Sequence, residues 1–266
     1  MRNRALKHAR LAAAGAFGVA LALAMAVQAR ASDRQSEQFH QTYSLSANGR
    51  VSLDNVNGDV HITGWDQNEV KVDAVKTVWA GTPLNDVRIE VDSRPDSIHI
   101  EAKTPHHWMR NAHWQVDYTI MVPKHASIDK VSMVNGGVDI ESISGEVAAS
   151  SVNGRIEARD LSGGIDLSAV NGAIDAAFNS PDVSQPVSLK TVNGSVSLSL
   201  PSDANANLSA RTLNGHISCD FPIKIKAAGF IGHSLSATIG SGGGPEIQLN
   251  TVNGSVSIHR GSAEAN

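Results

Sequence analysis

The side chains best suited to chemistry in this 266-residue sequence crowd into one short stretch, 104–114, which holds His106, His107, Trp108, Met109, Arg110, His113 and Trp114. Imidazole is a common metal ligand. His106, His107 and His113 have no helical spacing and no Cys or Asp partner to impose a coordination geometry, so they read as a His-rich loop and not as a metal centre. Trp and Arg bury much surface for little lost entropy and dominate binding hot spots. Indole rings also stack on sugar faces. His106, His107, Trp108, Met109, Arg110 and Trp114 are therefore the candidate binding loop. The competing role for the Trp side chains is to fold back and cap the core.

Elsewhere the reactive groups are dispersed. Asp139, Asp166 and Asp175 each follow a β-branched residue, but a calcium β-roll needs Gly-Gly-x-Gly-x-Asp, and the other repeats carry Ser at this place. A polysaccharide-lyase site needs a base and acids that converge on one face. Lys190, Arg211 and Asp220 occupy scattered outward positions. The single cysteine, Cys219, falls on an inward position and reads as a buried thiol, and it excludes an internal disulfide and a Cys-based zinc cage. There is no Ser nucleophile elbow and no phosphate loop. The expectation is a protein without catalytic residues, metal or cofactor.

The elements that must carry these groups are set by a repeat. Asn-Gly occurs eight times, at Asn48, Asn57, Asn135, Asn153, Asn171, Asn193, Asn214 and Asn253. Three residues after each Asn stand Val51, Val60, Val138, Ile156, Ile174, Val196, Ile217 and Val256, all β-branched. Two residues further on the side chain is again apolar, and the one between is polar, which is the period of a half-buried strand. Asn135, Asn153 and Asn171 are 18 residues apart, with Ser144-Gly145 and Ser162-Gly163 midway. The unit is thus nine residues of turn, strand and bend, and two units close one coil.

A single such coil cannot bury its apolar face, whereas coils stacked about 4.8 Å apart can. Gly at the corner permits positive φ, and stacked Asn side chains can hydrogen-bond along the axis. The spacing predicts an all-β protein: a β-solenoid, single-stranded β-helix-like, of short strands in coils of roughly 18–22 residues. Residues 131–260 form the regular Asn-Gly solenoid. Residues 32–130 form an N-terminal β portion with longer, irregular strands, and 261–266 a flexible tail. Aromatic content of 4% and 23 Gly fit many turns and a thin core better than a helical bundle.

Residues 1–31 stand apart. Arg2, Arg4, Lys7 and Arg10 precede an apolar run from Leu11 to Val27, and Ala29-Arg30-Ala31 is an A-x-A site. This is the order of a cleaved secretory signal peptide, which places the protein in the bacterial periplasm or outside the cell. No Cys follows for lipid attachment, and no later stretch is long and apolar enough for a transmembrane segment. The formal net charge is −4, and the leader holds cations and no acid. The mature chain is correspondingly more acidic, which argues against nucleic acid as a partner.

Val56-Asn57-Gly58-Asp59-Val60, Gly64-Trp65-Asp66, Val70-Lys71-Val72, the 118–123 strand ending in Val-Pro and the closing Thr251-Val252-Asn253-Gly254-Ser255-Val256 resemble a known family. It is the bacterial domain-of-unknown-function family of β-strand repeat-containing proteins, the putative adhesins. The likeness covers roughly 38–260. It implies a repeat fold and a cell-envelope setting and carries no catalytic residues. The expected function is that of a non-enzymatic, adhesin-like envelope protein presenting a binding surface to another envelope protein or a surface polysaccharide. The alternative is a carbohydrate-active β-helix enzyme or glycan-binding module.

Overall fold

The computed structural model describes residues 34–104, 113–179, 185–228 and 232–261, with backbone only at 224–228. In chain order the first strands are β1 (Gln35–Ser44), β2 (Arg50–Asn57), β3 (Val60–Trp65), β4 (Glu69–Trp79), β5 (Arg88–Arg94), β6 (Ser97–Lys103) and β7 (His113–Pro123). A single 3-10 turn, Leu84–Asp86, lies between β4 and β5. The next are β8 (Ser127–Asn135), β9 (Val138–Ile143), β10 (Val147–Asn153), β11 (Ile156–Leu161), β12 (Ile165–Asn171), β13 (Ile174–Phe178), β14 (Val187–Asn193) and β15 (Val196–Leu200). The last are β16 (Ala206–Asn214), β17 (Ile217–Cys219), β18 (Lys224–Ala228), β19 (His233–Ile239), β20 (Glu246–Asn253) and β21 (Val256–Arg260).

Two sheets result. One has ten strands in the order β1-β4-β7-β3-β9-β11-β13-β15-β21-β17, and the other eleven in the order β18-β19-β16-β20-β14-β12-β10-β8-β2-β6-β5. Each coil places one strand in the eleven-stranded sheet, turns at the Asn-Gly corner, and places the next strand in the ten-stranded sheet. Parallel pairing is in register, so like residues stack: Val147, Ile165 and Val187 align in one sheet and Ile156, Ile174 and Val196 in the other. These inward columns meet as one buried cluster, with Val60, Ile156, Ile174, Val196 and Val256 fully inaccessible. The solenoid expected from the repeat is the observed architecture.

Two features depart from the regular plan. The coils are not stacked in chain order. The final coil, β20–β21, lies between β14–β15 and β16–β17, and the coil β6–β7 lies outside β2–β3. Three of the four sheet ends also carry antiparallel strands, β4 and β1 after β7, β5 after β6, and β19 and β18 after β16, while β17 ends the ten-stranded sheet in parallel pairing. Residues 131–260 are therefore not all parallel. These antiparallel strands pair with the end coils in place of a further parallel coil. Both sheets run on across residue 130, where β2 pairs with β8 and β3 with β9. The difference between the N-terminal portion and the repeat is one of strand length, up to 11 residues in β4 and β7.

The corners explain the repeat. Seven Asn side chains form one amide ladder in the order Asn57, Asn135, Asn153, Asn171, Asn193, Asn253, Asn214, each donating Nδ2 to the Oδ1 of the preceding Asn at 2.8–2.9 Å. Asn48 is not a member. Gly49 sits at the opposite corner, where its carbonyl accepts from Ser127 N at 2.9 Å, so Asn48-Gly49 holds the place of the Ser-Gly half-units.

Gly154 is not needed for positive φ: only Gly58, Gly136 and Gly254 of the ladder corners have it. A Cβ on Gly154 would stand 1.8 Å from the Gly136 carbonyl oxygen, and on the other five stacked corners 1.9–2.1 Å from the neighbouring one. Close backbone approach selects glycine.

Gly154→Ala should therefore destabilise nearly as much as Gly154→Val, by about 3 kcal/mol, the upper end of overpacking costs, or a melt lowered by roughly 6–12 °C. At Gly137 an added Cβ finds nothing nearer than 3.5 Å, so Gly137→Ala should stay within about 0.5 kcal/mol of the parent. Equal melts for the two alanine variants would rule out corner contact as the reason for the glycines.

The ladder predicts a second asymmetry. Asn171→Asp loses its donor and sets a carboxylate against Asn153 Oδ1, which should cost about 1–2 kcal/mol in urea unfolding. Asn57 only accepts in the ladder, so Asn57→Asp keeps its bond and should cost less.

Candidate functional site

Of the candidate loop, His106, His107, Trp108, Met109 and Arg110 lie outside the described residues. Its flanks are fixed. The stretch joins the end of β6 to the start of β7, where neighbouring coils have the Asn-Gly corner. At its end His113 packs its ring 6.1 Å from that of Trp79, and its backbone N–H donates to Thr82 Oγ1 at 2.8 Å. Trp114 does not belong to an exposed loop: it is the second residue of β7, stands opposite Val78 and is buried in the core. The alternation of β7, apolar at Trp114, Val116, Tyr118 and Ile120, turns it inward, and it takes the capping role for which Trp was also suited.

The three aspartates divide between opposite outer faces. Asp139 accepts from or pairs with His61 at 2.9 Å, and Asp175 lies 3.1 Å from Arg155, both on the ten-stranded sheet. Glu157 stands between them in the stack and meets Arg155 and Arg159. This face is an alternating set of ion pairs. Asp166 belongs to the other sheet. Among the described residues no three His, Cys, Asp or Glu side chains come close enough to hold a metal ion.

The eleven-stranded sheet carries a groove of about 500 Å³ near the start of its central strands. Asp129, Glu146, Asp166 and Glu246 rim it, with Lys190, Gln185 and Gln248. Asp166 and Lys190, unrelated in the sequence reading, come to 4.0 Å because Ser168 and Lys190 are register partners on adjacent coils. Arg211 lies two coils further along the same column, through Asn250. Asp220 is elsewhere, beside His259 at 3.2 Å. The acids are spaced along the stack instead of converging on one point. Glu146 and Glu246 had no distinguishing sequence signal, since each is simply the residue before an inward β-branched one.

A second surface was hidden in the repeat itself. The residue before six of the seven ladder Asn is exposed: Val134, Val152, Val170, Val192 and Val252 are 38–42% exposed and Leu213 is 52% exposed. The Val-Asn-Gly spelling contained this stripe, but period-2 alternation does not say that a residue of apolar type will be left on the outer face.

Cys219 ends an inward column after Ile258, on the edge strand β17. Among the described residues no strand stacks beyond it, and the thiol is half-buried and not fully enclosed. Burial raises its pKa, a backbone hydrogen bond at Phe221 opposes this, and the Asp220 charge adds to it.

The family model described as Toastrack DUF4097 matches residues 39–259. The chain belongs to the Toastrack family. The family resemblance carried by the Val-Asn-Gly and Gly-Trp-Asp motifs is thereby shown. A putative cell adhesion protein from Clostridium sporogenes ATCC 15579 has a similar structure, with TM-score 0.52 and 11% identity over 85% of this chain and 100% of that one. A putative adhesin from Bacteroides fragilis NCTC 9343 aligns over 84% of this chain and 97% of that one, at TM-score 0.33 and 11% identity. No curated protein sequence matches. Among the described residues of this Toastrack chain, no helix is long and apolar enough to cross a membrane.

Cys219 should accordingly react with a thiol reagent in the native protein, more slowly than after unfolding, with a pH dependence shifted above that of a free thiol. Complete protection until unfolding would mean that another strand covers β17.

Proposed function

We propose that this Toastrack chain is a non-enzymatic, adhesin-like protein of the bacterial envelope. It is exported by residues 1–31 with cleavage near Ala31, and its solenoid presents a binding surface to an envelope protein or a surface polysaccharide. The observation that supports this best is the polar groove on the eleven-stranded sheet, where Asp129, Glu146, Asp166 and Glu246 recur along the stack beside Lys190 and Gln248. Its volume is in the range of ligand clefts. Carboxylates and amides repeated along an axis offer a linear, hydroxyl-rich polymer equivalent hydrogen bonds at successive positions. A site of this kind binds without needing the acid and base at one point that hydrolysis or elimination requires. The 104–112 stretch supplies a second contact, with Trp108 as the aromatic anchor.

The test is capture from envelope extracts and purified surface polysaccharide by the chain from residue 32 onward, compared with Glu146→Lys/Asp166→Lys and with Trp108→Ala. The expected result is specific capture that falls at least tenfold in the groove variant with an unchanged melt. Trp108→Ala should likewise reduce capture without altering stability. A melt lowered by several degrees would instead give Trp108 a packing role. Capture that is unaffected by all three substitutions would remove both surfaces from the proposal.

A further inference from the structure

The Val/Leu stripe beside the amide ladder calls for an occupant. In stack order it reads Val56, Val134, Val152, Val170, Val192, Val252, Leu213, as fixed by the ladder. The first is half-buried, and the other six project from one edge of the outer face at 38–52% exposure. Isolated exposed apolar residues are ordinary, whereas a contiguous run of them marks an interaction surface. At one strand spacing per coil the six residues run about 24 Å.

We propose that this stripe is the contact between two copies of the chain, packed face to face with their stacks antiparallel. Three observations select this occupant. The stripe has one residue per coil in register from coil to coil, so a copy of itself can match it residue for residue. A two-fold axis across the stripe at Val170 sets Val170 on Val170, Val152 on Val192 and Val134 on Val252, an isologous contact. The amide column beside it is tied into its own stack, each inner Asn donating to one neighbour and accepting from the other.

The third observation is the charge at the two ends, which also fixes the direction. At the β2–β3 end stand Asp54 and Asp59, with Asp117 beside Asp59. Asp54 pairs with Lys130 at 2.7 Å. Asp59 accepts the Gly137 N–H, and Asp117 accepts the Asp59 N–H and the Gln115 amide. At the β16–β17 end stand Arg211 in the column of Asp54 and His216 in the column of Asp59. The antiparallel arrangement brings Arg211 to Asp54 and His216 to Asp59 of the other copy. A parallel arrangement would oppose Asp54 to Asp59, acid against acid, which disfavours it. The strip is narrower than the about 800 Å² per partner of a standard interface, so the dimer is a weak one that forms as concentration rises.

This contact is separate from the groove and loop and does not depend on an envelope partner. Sedimentation velocity over a concentration series should show a monomer–dimer equilibrium that Val170→Glu abolishes, with an unchanged melt because Val170 is already on the surface. Cross-linking tests the register in a Cys219→Ser background. Val170→Cys should form a disulfide dimer under mild oxidation. Val134→Cys should cross-link to a chain carrying Val252→Cys at least tenfold more than to itself. A chain that stays monomeric throughout the series, or a dimer that Val170→Glu leaves intact, overturns the proposal. Self-cross-linking of Val134→Cys equal to that with Val252→Cys overturns the antiparallel register.

Discussion

The structure depends on the distance between successive corners. At the Asn-Gly turns the backbone of one coil passes so close to the next that an added Cβ on Gly154 would lie 1.8 Å from a carbonyl oxygen. This approach puts each glycine N–H within reach of the next Asn carbonyl, as in Gly154 to Asn171 at 3.2 Å and Gly172 to Asn193 at 3.0 Å. It also holds the Asn side chains at the spacing of their amide ladder. Deeper in the same corner, hydroxyls of Thr191, Thr212 and Thr251 donate to the glycine carbonyls of neighbouring coils at 2.7–2.9 Å. The corner thus leaves few backbone groups unpaired where the chain turns out of one sheet and into the other.

Because every corner offers the same donors and acceptors, a coil can stack on any other. That interchangeability makes the chain order of the stack free. The coil β20–β21 places Asn253 between Asn193 and Asn214, continuing the ladder without a break. The excursion through β18 and β19 provides the length to return, and its antiparallel pairing on β16 covers the edge beyond the last coil. At the other end β1, β4 and β5 do the same. Three of the four sheet ends are thus strands that do not obey the repeat, and the fourth is β17.

The same register turns the surface into columns, and function follows from which column faces out. Ion pairs alternate along one sheet, from His61 and Asp139 to Arg155 and Asp175. Acids and amides rim the groove of the other. The Val/Leu stripe lies at the edge next to the ladder. Each draws on a few outward positions of the repeat, so substitutions in one coil change one rung of a surface and leave its neighbours in place.

The sequence by itself determined the fold class, because alternation after each Asn-Gly and the 18-residue spacing leave stacked coils as the way to bury Val, Ile and Leu on one side. It also determined the amide ladder and, through the Val-Asn-Gly and Gly-Trp-Asp motifs, the family. Three things were decided only by tertiary structure. Local alternation is blind to which coil becomes whose neighbour, so the placement of β20–β21 and the meeting of Asp166 with Lys190 were not legible. A corner glycine looks the same whether it serves positive φ or close approach, and only the stacked neighbour distinguishes them at Gly154. Alternation also cannot tell a strand's last inward residue from its first exposed one. That is why Trp114 turned out to be core, Cys219 an edge, and the valine before each Asn a surface.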